Sequence, residues 1–256
     1  VVTACIGAAN FKQAGTNFTN SLLVGHNTTG TLSNASNNTG VGIGTLDAIT
    51  SGVNNTALGH DALTSNTTGS YNTAIGTDSL KSNTTGQYNV AIGKSALLSN
   101  TTGHSNIAIG SEALCVNTIG ICNVAMGGNA LRCNTTGIEN FALGYNSLNA
   151  NTTGSFNVAI GGNSMRLNTS GTGNIAIGRV ALEKNTTGTS NVAVGYNSLC
   201  SSTIARFNTA IGYTSLSANT TGEYNVGIGY KSLFSNTTGQ YNVSVGNNSL
   251  QLNTTG

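Results

Sequence analysis

The chain has 256 residues, 38% of them apolar and only 6% charged, with 35 Gly and neither Pro nor Trp, which is the composition of a repeat array rather than of an ordinary globule. Nine basic and seven acidic residues leave a formal net charge of +2, which argues against nucleic-acid or anionic-membrane binding. Regularly placed apolar residues with so little charge argue against disorder, and no apolar run approaches the roughly 20 residues of a membrane span.

The chain begins at Val1 rather than Met, as a processed product, an excised segment or a sequence established from the physical sample would. Residues 1–54 are the less regular part. Thr3-Ala-Cys-Ile-Gly7 and Ser21-Leu-Leu-Val-Gly25 read as strands, and Gly40-Val-Gly-Ile-Gly44 as a strand followed by a shortened coil, together forming irregular N-terminal coils or a cap.

From Asn55 one phrase recurs every seventeen residues, at Asn55, Asn72, Asn89, Asn106, Asn123, Asn140, Asn157, Asn174, Asn191, Asn208, Asn225 and Asn242. Its consensus is N-(T/V/I)-A-(I/V/L)-G-x-x-(S/A)-L-x-x-N-T-T-G-x-x, and residues 55–256 hold twelve copies without insertion or deletion, the last breaking off at Gly256. Such constancy is what a solenoid requires, because each coil pairs its backbone with the coils above and below and one extra residue would break the ladder. The N-V-A-I-G phrase alternates with the period of a strand, and its Gly ends the strand where the chain turns. The Leu that follows (Leu80, Leu97, Leu114) marks a second, shorter strand, and N-T-T-G closes the coil at a corner. Two Gly per repeat and clustered Asn and Thr forbid a helix. The expected fold is all-β: a parallel β-solenoid, or β-roll, of stacked 17-residue coils with two short strands each. The small-residue strand face at Ala74, Ala91 and Ala108 is expected to let parallel chains approach closely.

Two coils depart from the consensus. Asn117-Thr-Ile-Gly120 lacks the second Thr, and Ser202-Thr-Ile-Ala-Arg206 lacks both Asn and Gly, through drift or as a lateral contact or bend at Arg206. Of five cysteines, Cys5, Cys115, Cys122, Cys133 and Cys200, none forms a C-x-x-C pair, which argues against zinc. Cys115 and Cys133 take adjacent places on successive coils, about 5 to 6 Å apart, within disulfide reach in an oxidising setting, while Cys122 at a corner could pair between chains. His26, His60 and His104 share no repeat position and read as surface decoration. The acidic residues, among them Asp61, Asp78, Glu112, Glu139, Glu183 and Glu223, are scattered without the spacing of calcium-binding rolls. No catalytic, metal or cofactor residue is therefore assigned, and the chain reads as no enzyme.

Formal N-glycosylation sequons begin at Asn27, Asn66, Asn83, Asn100, Asn134, Asn151, Asn168, Asn185, Asn219, Asn236 and Asn253. One reading is a glycan-coated fibre. The other is side-chain ladders of Asn and Thr along a corner, which crowding favours because glycans on successive coils would stand about 4.8 Å apart. Regular Thr ranks also suggest ice binding, but the residues flanking the tetrad vary too much for a lattice match. Aromatic residues before the repeat Asn, namely Tyr71, Tyr88, Phe156, Phe207, Tyr224 and Tyr241, read as partial stacking ladders and are the candidate carbohydrate contacts.

The strand phrases Asn72-Thr-Ala-Ile-Gly76, Asn89-Val-Ala-Ile-Gly93 and Asn157-Val-Ala-Ile-Gly161 resemble the head repeats of trimeric autotransporter adhesins of the YadA type. That resemblance implies a left-handed parallel β-roll, side-by-side association of three chains and a tip that binds host surfaces, although the repeats of that family are typically shorter. The longer phrase is similar to repeats of bacteriophage and viral tail fibres and covers nearly the whole chain. The resemblance carries over no site residue. The function expected is the structural or adhesive shaft of a virion tail fibre or surface adhesin, extracellular or on the virion, with itself as partner in a homotrimer and a host-surface polysaccharide or glycoprotein as ligand. The alternative is a self-assembling extracellular filament subunit that stacks head to tail.

Overall fold

The structure, a computed structural model, describes residues 11–25 and 29–256. The strand expected at Thr3–Gly7 and the features at Cys5, His26 and Asn27 lie outside the described residues. The described chain is an all-β parallel solenoid of 17-residue coils, without a helix, and it divides into two compact units, residues 1–123 and 124–256.

In the first unit, β1 (Phe11–Gly15) folds back on β2 (Phe18–Val24) as an antiparallel hairpin. Every later pairing is parallel. Strand β2 pairs with β3 (Ala35–Ser36) and β4 (Thr39–Val41), and one strand per coil follows: β5 (Thr56–Leu58), β6 (Thr73–Ile75), β7 (Val90–Ile92) and β8 (Ile107–Ile109). Partners are always seventeen residues apart, as Leu22 opposite Thr39 and Val90 opposite Ile107. The regular register thus reaches back into the segment expected to be irregular. The coil after Gly40 is full length, from Asn38 to Asn54, with buried Ile49 in the place of the second Asn.

The second unit repeats the same coil through β9 (Val124–Met126), β10 (Phe141–Leu143), β11 (Val158–Ile160), β12 (Ile175–Ile177), β13 (Val192–Val194), β14 (Thr209–Ile211), β15 (Val226–Ile228) and β16 (Val243–Val245). All are parallel and in register, Val158 opposite Ile175 and Ala159 opposite Ala176.

The central strand residue points inward. Ala74, Ala91, Ala108, Ala159 and Ala176 are completely buried, whereas the larger residues on either side of each Ala face outward and stay partly exposed. The Ala ranks therefore cannot form a surface along which chains approach. The coil is too narrow for two facing rows of β-branched residues, so Ala, one Leu and two Asn fill it.

From β4 onward each strand ends at a Gly in a conformation open only to Gly. Gly93 has φ 131°, and a Cβ there would lie 2.7 Å from the Gly110 carbonyl carbon of the next coil. The second strand expected at the Leu is instead a tight turn. In the coil of β6, Asp78 and Leu80 have φ of 58° and 50°, and the same places are left-handed in every later coil. The core position holds Leu, or Met at Met165, but never Val or Ile, whereas the companion left-handed place also accepts the β-branched Val180 and Thr214.

Candidate functional site

The two Asn of each repeat are internal. Asn72 is fully buried: its Nδ2 donates to Asn55 Oδ1 of the preceding coil at 3.2 Å and to the Gly86 carbonyl at 2.9 Å, its backbone N–H donates to Asn55 Oδ1 at 3.0 Å, and its own Oδ1 accepts from Asn89 of the next coil. The second Asn, Asn83, donates to Asn66 Oδ1 at 2.8 Å and to the same Gly86 carbonyl at 3.1 Å. Two amides of the same coil thus clamp one Gly carbonyl, and each continues as a ladder within its unit. The Thr after it adds a third ladder, Thr67 Oγ1 donating to the Thr84 carbonyl at 3.1 Å.

This corrects the glycan-coated reading of the sequons. Asn66, Asn83, Asn100, Asn134, Asn151, Asn168, Asn185, Asn219 and Asn236 are all 0% exposed, with their amides committed to carbonyls inside the coil. Asn253 is half-buried and donates to Asn236 Oδ1. A glycan on any of the nine would require turning a ladder amide out of the core. The ladder ends its regularity at Ser202, where the Asn is missing: among the described residues, the buried side-chain atoms without a hydrogen-bond partner are Asn185 Oδ1 and Ser202 Oγ.

The residue before the repeat Asn is outward and left-handed, so identical side chains stack at coil spacing. Tyr71 and Tyr88 lie 4.9 Å apart and 4° from parallel. Phe207, Tyr224 and Tyr241 form a continuous stack with spacings of 5.0 Å, and Phe156 sits in the same rank, half exposed, with Glu139 and Gly173 at the flanking places. Sequence reasoning missed a second rank, directly after the strand Gly, where Tyr196, Tyr213 and Tyr230 stack at 5.3 and 5.6 Å. Their spacing of seventeen was the available signal. Beside Tyr88 is a cavity of about 370 Å³ lined by Thr85, Gln87, Tyr88, Thr102, His104 and Ser105.

His60, Asp61 and Asp78 are brought together although sequence reading left them scattered. Their ligand-type atoms lie within 4.8 Å of one another, but Lys81 Nζ stands 2.9 Å from both Asp61 and Asp78, so an internal cation already holds the place a metal ion would take. Hydrogen bonds to Asp78 and then Asp61 raise the Lys81 pKa above its ordinary value. Cys115 is buried, Cys133 and Cys200 half-buried and Cys122 exposed, and none of the four is in a disulfide.

The outward strand residues make a two-column apolar strip on the second unit, interrupted by Thr209, and on the first unit one apolar column beside a column that begins Thr39, Thr56 and Thr73 before turning apolar at Val90 and Ile107. In the first unit, Val41, Leu58 and Ile107 are 37%, 47% and 37% exposed, and in the second, Leu143, Ile175, Ile177 and Ile211 are similarly open. Comparison of the chain with protein-family models, with curated proteins and with solved structures finds no match.

Proposed function

We propose that the chain is a structural and adhesive shaft segment of an extracellular or virion-borne fibre, working as a homotrimer and presenting repeated contacts to a host surface. The observation that carries this reading is the outward strip of Val, Ile and Leu, which a soluble single chain has no reason to repeat on coil after coil. A second copy is the occupant it fits, because only a partner with the same pitch of about 4.8 Å can seat its side chains between these throughout. At on the order of 50 Å² per exposed side chain, the strip of the second unit alone offers roughly 800 Å², one partner's share of a standard interface. Sequence departures fall mostly on the outer columns, the interior keeping its pattern apart from places such as Ile49, Ser202 and Ala205, as suits a scaffold whose contacts are multiplied by repetition.

Light scattering and negative-stain microscopy test this. The chain of 25.7 kDa should run at three times its mass, and Ile177→Asp with Ile160→Asp should release monomers whose circular dichroism is unchanged, since neither side chain enters the core. A wild-type chain that stays monomeric at high concentration refutes the assembly, and concentration-dependent polymers would favour the head-to-tail filament.

A further inference from the structure

The Tyr71–Tyr88 stack stops where it could continue. One face of the Tyr88 ring is covered by Tyr71 at 4.9 Å, and the next place in the rank is Ser105, whose side chain is too short to cover the other face. The step left above Tyr88 is the cavity of about 370 Å³, within the range of small-ligand sites. It is an open cleft, and Tyr88 supplies the one phenol ring in its lining. Its walls are Thr85 and Gln87 from the coil of Tyr88 and Thr102, His104 and Ser105 from the coil above, all exposed. His104 Nδ1 lies 3.3 Å from Ser105 Oγ, which steadies the imidazole and leaves Nε2 for another partner.

We propose that this step binds one ring of a neutral hexopyranose, with a C–H face of the sugar seated on Tyr88 at the place a third aromatic ring would take. The lining supplies hydroxyls, an amide and an imidazole, each able to donate or accept toward sugar hydroxyls, and holds no Lys, Arg, Asp or Glu. That set suits an uncharged polyol better than a nucleotide or an acidic sugar, either of which would bring a charge with no partner in the cavity. A flat apolar face bordered by fixed polar groups is how an amphipathic ring is both held and oriented. A ligand of about a dozen heavy atoms on a single ring face corresponds to a dissociation constant on the order of 1 mM, useful only when repeated along an assembly. The inference deepens the adhesive part of the proposed function by naming the site and the chemistry held there.

The test is saturation-transfer NMR on the full chain with the methyl α- and β-glycosides of glucose, galactose and mannose, and adenosine as a competing flat ligand. At least one glycoside should receive saturation chiefly on the C–H protons of one ring face. Ser105→Tyr should extend the stack into the cavity and reduce that signal at least tenfold. It should fold, because Ser105 has φ 58° and Tyr71 and Tyr88 adopt 60° and 57° at the same repeat position. Tyr88→Ser should have the same effect by removing the ring, and Ser111→Tyr, outside the cavity, should have none. No transfer to any glycoside, a signal that survives Ser105→Tyr, or preferential transfer to adenosine overturns the proposal. Mass measured on the same samples separates the two readings: trimers that bind no glycoside defeat only the sugar site, and monomers that bind one defeat only the assembly.

Discussion

The coil from Asn191 to Phe207 carries two departures that the structure couples, Ser202 where other coils have Asn and Ala205 where they have Gly. In the preceding coil a Cβ on Gly188 would collide with Asn185 Oδ1 and with the Ala205 carbonyl. Ala205 is accommodated, fully buried, because Ser202 leaves the space the Asn side chain would fill. The exchange leaves Asn185 Oδ1 and Ser202 Oγ buried and unpartnered. Restoring both consensus residues, Ser202→Asn with Ala205→Gly, would let the new amide donate to Asn185 Oδ1 and to the residue-205 carbonyl, and accept from Asn219 Nδ2. Three buried hydrogen bonds at about 1 kcal/mol each, less about 1 kcal/mol for the added Gly, leave a gain of about 2 kcal/mol. Each single change should instead cost about 1 kcal/mol, Ser202→Asn by overpacking against the Ala205 methyl and Ala205→Gly by losing that methyl and stiffness.

Urea unfolding at 25 °C should therefore show a raised midpoint only for the double variant, by about 1 M if m is near 2 kcal/mol/M. Because repeat arrays need not unfold as one unit, amide exchange gives the local reading. The Thr186 and Thr203 N–H groups, which donate to the Thr203 and Thr220 carbonyls at 2.8 and 3.1 Å, should gain about thirtyfold protection. The cycle should give a coupling near 4 kcal/mol. Additivity within about 0.5 kcal/mol, or stabilisation by either single change, would refute the mechanism.

Ala176→Val, inside the strand rank between Ala159 and Ala193, should cost about 1 to 3 kcal/mol by urea titration, while Val192→Thr on the outward face, already Thr in the next coil at Thr209, should cost less than about 0.5 kcal/mol. Gly93→Ala meets both the positive φ and the Gly110 carbonyl, so limited proteolysis should cut near this turn in the variant and not in the wild type. Lys81 has a folded pKa raised above 10.5 by its hydrogen bonds to Asp78 and Asp61. The contribution of this cluster is therefore fully present below the unfolded pKa and lost as pH rises through the higher folded one. It is small because Lys81 is largely solvated, and the urea midpoint of wild type relative to Lys81→Met should stay level through neutral pH and fall above about pH 10.5.

The coil length and its parallel register were legible in the spacing of Asn55, Asn72 and Asn89, because a ladder cannot absorb a single added residue. Which face of the strand looks inward was not. Alternation separates Ala91 from Val90 and Ile92 but does not orient them, and the habit of placing larger apolar residues inside points the wrong way when the interior is one Ala and one Leu wide. The Leu turn was misread as a strand because left-handed φ at Leu97 leaves no mark in a single copy. The mark lies in the column, which admits Leu and Met and excludes Val and Ile. The rank that holds Tyr71, Tyr88 and Ser105 was legible in the seventeen-residue spacing, but the cavity beside Tyr88 was not, because its volume depends on how the side chains of two coils stand on the surface.

The same columns show why the interior is polar. An aliphatic residue in place of Asn72 would leave the Gly86 carbonyl with one amide fewer, cost the Asn55 oxygen its side-chain donor while the backbone N–H remains, and leave the Asn89 N–H and amide without the Asn72 oxygen, all inside the coil. Ile49, near the N-terminal end of the described array, is tolerated at the second Asn position because Asn38 still reaches the Gly52 carbonyl at 2.9 Å. One amide of the clamp closes a coil; both fix its length against its neighbours. Backbone closure therefore depends on Asn, Gly and Ala inside, and the residues that vary from coil to coil are left on the outside. There a change such as Ser105 beside Tyr88 alters what the surface can hold without altering how the coil folds.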